Sequence, residues 1–150
     1  LPKDLPLQSL SIYIAQLSLE TLKEKCLKNQ NIWLKWPNDL YISNLKFGGI
    51  VTNVIRDIAI IGIGINLINV KDFGNIQCNL LNKNEIINAI LNLVDKNISW
   101  NNIFEIYKKD FFKSKDFLIN IGERKFSLYE ASLNSDGSII ISGEKLFSMR

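Results

Sequence analysis

The runs Lys46–Ile55 and Ile58–Asn66 constrain this chain more than any other feature in it. Each reads as a strand. Only Arg56-Asp57 separates them, so they pair antiparallel through a tight turn. The second run, "IAIIGIGIN", is apolar on both faces, which predicts a central strand covered on both sides. Glycine inside a strand packs nothing and costs backbone entropy. Gly48, Gly49, Gly62 and Gly64 therefore mark a place where something comes close to the backbone.

The remaining periodicities place elements around this pair. Leu10, Tyr13, Ile14, Leu17, Leu22 and Cys26 fall at helical spacing and predict a helix over Ser9–Lys28, with Pro6 at its entry. Ile32 to Trp36 alternate with a period of two, a strand that Pro37-Asn38-Asp39 closes. Leu40 to Ile42 is a short extended piece, followed by a turn at Ser43-Asn44. Helices follow over Glu85–Lys96 and Trp100–Phe112, the second with Ser99 as N-cap. Beyond Lys115 the character becomes β: a strand over Phe126, Leu128 and Tyr129–Leu133, a hairpin signal at Asp136-Gly137, then Ile139–Ile141 and Leu146–Met149. The expectation is an α+β fold, a mixed or antiparallel sheet with helices packed on it over residues 1–114. A small β unit, an SH3-like barrel, follows over 115–150.

Composition removes several function classes. With 47% apolar and 22% charged residues in 150, the chain can build one real core. Histidine is absent, which excludes histidine triads, histidine acid–base catalysis and histidine metal ligands. Cys26 and Cys78 form no CxxC pair and no disulfide framework, which fits a reduced, cytoplasmic setting. The longest apolar run, Ile58–Ile65, is too short to span a membrane, and no signal peptide is visible. A net charge of +3 suits an anionic ligand but is too diffuse to argue for nucleic acid.

The candidate site is the stretch "KWPNDLYISNLKFGGIV" together with the glycine strand. Lys46 supplies a compact cation for a carboxylate or phosphate, and Gly48 and Gly49 let a ligand lie on the backbone. Alternation puts Gly62 and Gly64 on one face of their strand, with Asn66 continuing it. Asn38 and Asp39 sit at the end of the preceding strand. Each feature alone has an ordinary explanation: a strand stop, crowding under a helix, a solvated lysine. Trp33 and Trp36 read as core. Together the residues describe an apolar slot with one cation and several amides, suited to a flat, mostly neutral acid.

In order and spacing, "KWPNDLYI", "LKFGGIV" and "IGIGIN" resemble the catalytic core of biotin protein ligases, and the β-rich tail is similar to that family's C-terminal SH3-like domain. The resemblance implies a class II synthetase-like core. It also implies a two-step reaction: biotin and Mg2+·ATP give biotinyl-5'-adenylate and pyrophosphate, and a lysine of a biotin carboxyl carrier protein of acetyl-CoA carboxylase then takes the biotin. On the same basis Lys46 contacts the biotin carboxylate and the phosphate. Gly49, Val51, Gly62 and Gly64 line the biotin slot, and Lys35, Asn38, Ile65 and Asn66 lie on the adenylate and ATP side. Asp39 orients either the metal or the incoming lysine. The implied protein acts without membrane or nucleic acid, and the resemblance allows a homodimer.

Two departures stand out. Asn53 occupies a place where the family usually carries Glu or a similar polar residue. The family's arginine- and glycine-rich loop is missing: Arg56, Arg124 and Arg150 are scattered. That absence, with a chain opening on Leu1-Pro2, gives the expectation that an N-terminal part lies upstream. The alternatives are a lipoate ligase of the same fold, or a basic β-barrel that binds nucleic acid with steep salt dependence.

Overall fold

Helix α1 (Leu10–Lys25), entered through a 3-10 turn at Leu7–Ser9, runs through the middle of the protein. Every residue from Leu10 to Leu19 is buried, so the helix is enclosed rather than amphipathic. A computed structural model describes residues 1–25, 30–76, 82–121 and 123–148; Cys26, Cys78, Met149 and Arg150 lie outside the described residues.

One side of α1 packs on a four-stranded antiparallel sheet. Its strands are β1 (Ile32–Lys35), β2 (Asp39–Ile42), β3 (Leu45–Ile55) and β4 (Ile58–Ile65), in that spatial order. The other sides meet α2 (Lys83–Asp95) and α3 (Trp100–Ser114). Both of these helices start at side-chain caps. Asn82 and Glu85 form a reciprocal capping box, and Ser99 accepts from the Asn102 amide.

The two edges of the sheet are treated differently. Along β1, α3 takes the place of a further strand: the Leu34 amide donates to Asp110 Oδ2 at 3.1 Å, and the Trp36 amide to Ser114 Oγ at 3.1 Å. Burial on all four β1 residues follows, and Trp33 and Trp36 are both core. The expectation that the glycine strand is central is corrected. Among the described residues β4 is the opposite edge, paired only with β3, and Ile58, Ile60, Ile61 and Ile63 are exposed. Apolar residues on both faces signal cover when helices lie on both sides. On one face of β4, α2 and Ile14 of α1 stand across an open groove.

The tail forms two small sheets, not one closed barrel: β5 (Leu118–Ile121) with β6 (Arg124–Ser127), and β7 (Ser132–Leu133), β8 (Ile139–Ile141) and β9 (Glu144–Leu146). The strand expected over Phe126, Leu128 and Tyr129–Leu133 is broken by a 3-10 turn, Leu128–Glu130, because Ser127 Oγ accepts from the Tyr129 amide. Asp136-Gly137 does form the β7–β8 turn. The Gly137 carbonyl accepts from the Trp36 indole at 3.1 Å, and Trp100 donates to the Ser135 carbonyl at 2.8 Å. Ile119, Leu128, Ile139 and Ile141 join the same core as α1.

The edge treatment is testable. Asp110→Ala leaves the buried Leu34 amide without its acceptor and should cost about 1–3 kcal/mol in urea unfolding. Lys113→Ala, which removes only the half-exposed partner of Asp110 Oδ1 at 3.1 Å, should cost about 1 kcal/mol or less.

Candidate functional site

Lys46 and Gly49 are three residues apart, which in an unbroken strand puts their side chains on opposite faces. The β2–β3 pairing breaks that alternation. Asp39 faces Gly49 and Leu40 faces Gly48, but Tyr41 faces Lys46, so Phe47 is the extra residue of a bulge. Phe47 and Leu40 are fully buried, and Lys46 is returned to the face that carries Asp39 and Gly49. Lys46 Nζ lies 2.6 Å from Asp39 Oδ1. A Cβ placed on Gly49 would sit 3.5 Å from the same oxygen and 3.7 Å from Lys46 Cε.

The tight turn at Arg56-Asp57 fixes the β3–β4 register, pairing Gly49 with Gly64 and Val51 with Gly62. Gly49, Val51, Gly62 and Gly64 therefore form one patch of floor beside the Lys46–Asp39 pair. The glycines have separate reasons. At Gly48 a Cβ would stand 2.4 Å from the Gly64 carbonyl oxygen, so that glycine lets β3 and β4 meet. At Gly62 a Cβ would stand 2.8 Å from Val51 Cγ2, and at Gly64 nothing lies nearer than 3.8 Å. Packing within the described residues leaves Gly49 and Gly64 room for a Cβ, and neither has a positive φ.

The other sequence candidates divide. Asn38 is bound to β3: its carbonyl accepts from the Ile50 amide at 2.9 Å and its side-chain amide donates to the Ile50 carbonyl. Asn66 ties down the following loop, its Nδ2 donating to the Gly74 carbonyl at 3.2 Å. Ile65 lies on the opposite face from the glycine floor. With Ile61 and Ile63 it lines an apolar groove facing Ile86 and Ile90 of α2. Lys35 is buried, its Nζ 3.8 Å from Asp39 Oδ2 and 5.7 Å from the ring centres of both Tyr41 and Phe117. Burial pushes the Tyr41 hydroxyl pKa up, and the Asp39 carboxylate adds to the effect.

A cleft of about 420 Å³ brings together Lys35, Asn38, Asp39, Lys46 and Val51 from the sheet, Ser11 and Thr52 from behind, and Leu118–Asn120 from the tail. Gly49, Gly62 and Asn66 are not among its lining residues, and Gly64 and Ile65 border the apolar groove instead. The hydroxyls of Ser11 and Thr52 are buried without a hydrogen-bond partner among the described residues. Tyr41, inside "KWPNDLYI", carried no expected role in the sequence, and Phe117 and the β5 residues had no motif to mark them there. Their contribution depends on where the tail folds. Among the described residues no cluster of three carboxylate or cysteine ligands could hold a metal, and no helix is long and apolar enough to cross a membrane.

The pattern of the Biotin/lipoate A/B protein ligase family matches residues 2–67. The solved biotin acetyl coenzyme A carboxylase synthetase of Helicobacter pylori, which carries bound biotinylated ATP, superimposes with a TM-score of 0.88 at 34% identity. The superposition covers 98% of this chain and 68% of that one. The chain belongs to the biotin protein ligase family. Biotin—protein ligase 2 of Arabidopsis thaliana is 36% identical over 66 residues, or 38% of this chain. The biotin protein ligase of Aquifex aeolicus, solved with biotin and ATP, shares the fold with a TM-score of 0.66 at 20% identity, over 94% of this chain and 68% of that one. The chain spans 20% of the length of the Arabidopsis protein.

The division among the glycines predicts opposite outcomes for similar substitutions. Gly48→Ala forces β3 and β4 apart and should lose about 1–3 kcal/mol, the range for overpacking. Gly64→Ala should change stability by less than about 1 kcal/mol, in either direction. Urea unfolding of the two variants measures the difference.

Proposed function

We propose that the protein containing this chain is a biotin protein ligase: it activates biotin with ATP and passes it to a lysine of a biotin carboxyl carrier protein of acetyl-CoA carboxylase. One observation carries the reading. A cation is held at the end of a floor in which two glycines, Gly49 and Gly64, are not required by internal packing. A flat bicyclic ring fits the floor, and its carboxylate would end at Lys46.

In the first step a biotin carboxylate oxygen bonds to the α-phosphorus of ATP, and the bond to the pyrophosphate oxygen breaks. Two anions must meet there. Lys46 offsets their repulsion and fixes their approach, and this is worth most where water is excluded. In the second step the acceptor amine attacks the acyl carbon of the anhydride, AMP leaves, and the amine proton is released. Mg2+ enters with ATP as substrate. Asp39, the one carboxylate lining the cleft among the described residues, would serve either that ion or the acceptor amine. Asn38 and Asn66 serve the adenine side through the backbone they hold in place, whereas Ile65 faces the opposite groove and takes no part.

We read residues 115–150 as the SH3-like unit and 1–114 as the ligase core, sharing one hydrophobic interior. The reading is of a cytoplasmic protein, and it admits a homodimer. In the tail Arg124 is paired with Glu144 at 3.0 Å and Lys145 with Asp136 at 2.7 Å, so these two cations are already engaged.

The test is biotin-dependent exchange of label between pyrophosphate and ATP, followed by transfer of labelled biotin to a carrier domain. Lys46→Ala in the intact protein should reduce exchange by about 10²–10³-fold or more, while its unfolding midpoint stays near that of the wild type. Normal exchange by that variant would overturn the assignment. Gly49→Val and Gly62→Val should weaken biotin binding in calorimetry far more than they weaken folding.

A further inference from the structure

Lys35 is a cation with only 7% of its surface exposed, and charged groups are rarely buried so far unless paired. Its ammonium sits between the Asp39 carboxylate and two aromatic rings. Those rings are themselves fixed: Tyr41 and Phe117 meet edge to face at 5.1 Å, and Trp33 packs on both, at 5.2 and 5.4 Å. Asp39 therefore bridges two lysines of different character. Oδ1 holds Lys46, whose side chain is 42% exposed, and Oδ2 faces Lys35, whose side chain is 9% exposed.

This matters when a substrate arrives. An anionic ligand at Lys46 competes with Asp39 for the charge of an ammonium that the carboxylate now holds at 2.6 Å. A half-buried carboxylate left without a cation would repel the incoming carboxylate and phosphates. It would also be costly in itself, because removing one partner of a buried pair leaves the other uncompensated. Lys35 is already placed to prevent both.

We propose that Lys35 is a positioning residue: it stays with Asp39 as counter-ion and holds the carboxylate in place while Lys46 turns to the substrate. Phe117 gives the tail a part in this, because it closes one side of the cage around the Lys35 ammonium. The proposal deepens the ligase reading and rests on it for its kinetic consequence, but not for the ligand-free coupling of the two lysines through Asp39.

Two measurements on the intact protein test it. The first uses no ligand. Thermal midpoints of Lys35→Met, Lys46→Met and the double variant should be non-additive, the double variant losing more than the sum of the singles. That excess should disappear in an Asp39→Asn background, where repulsion between the lysines alone would persist. Additive losses, or an excess that survives Asp39→Asn, would overturn the proposal. The second is kinetic. Lys35→Met should lower kcat of biotin-dependent ATP–pyrophosphate exchange about tenfold, the scale of a misplaced active-site group, with KM for ATP within about twofold. Lys35→Arg should restore most of the rate. A raised KM for ATP with kcat held would make Lys35 a nucleotide ligand and overturn the positioning role. If the wild type itself showed no such exchange, the ligase reading would fail, and the melting cycle alone would decide the link through Asp39.

Discussion

The offset in the β2–β3 pairing is the constraint on which the site depends. Without Phe47 as an extra residue, Lys46 would face the core with Leu40, and Gly49 would have no cation beside it. The bulge satisfies two demands in four residues. It buries a phenylalanine completely, burial worth about 1.5–3 kcal/mol. It also turns the lysine out onto the glycine face. A bulge next to a functional site is a recurrent use of the irregularity, because it re-aims one side chain without disturbing the rest of the ladder.

The surrounding fold keeps this region stiff at one end and open at the other. The β1 edge is closed by hydrogen bonds from its amides to Asp110 and Ser114, so the strand that ends in Lys35-Trp36 cannot fray toward solvent. The tail adds a second restraint through the Trp36 indole and the Gly137 carbonyl. Asp39 and Lys35 thus stand on the supported side of the sheet. The floor supplied by Gly62 and Gly64 lies on β4, whose outer edge is unpaired among the described residues.

Much of this was legible in the residues. The tight Arg56-Asp57 turn fixes a register, and the register alone sets Gly49 beside Gly64 and Val51 beside Gly62. The caps at Ser99 and the turn at Asp136-Gly137 carry their own local chemistry and were read correctly. What failed depended on distant partners. Isoleucine on both faces of β4 implied cover, but hydrophobicity states a preference and cannot say which element meets it. The strand expected at Tyr129 yielded to a serine-capped 3-10 turn, a local signal that Ser127 offered and the apolar pattern outweighed. The Lys35 cage could not be read at all, because Phe117 reaches it from 82 residues further along the chain.

The central claim is that the glycine face beside Lys46 and Asp39 is the ligand site. Backbone amide NMR of the intact protein, titrated with a non-hydrolysable biotinyl-adenylate analogue, tests it most directly. The account predicts the largest shifts at Asp39, Lys46, Gly49, Val51, Gly62 and Gly64, with Ile86 and Ile90 of the opposite groove nearly unmoved. Shifts concentrated in that groove, with the glycine face silent, would contradict it.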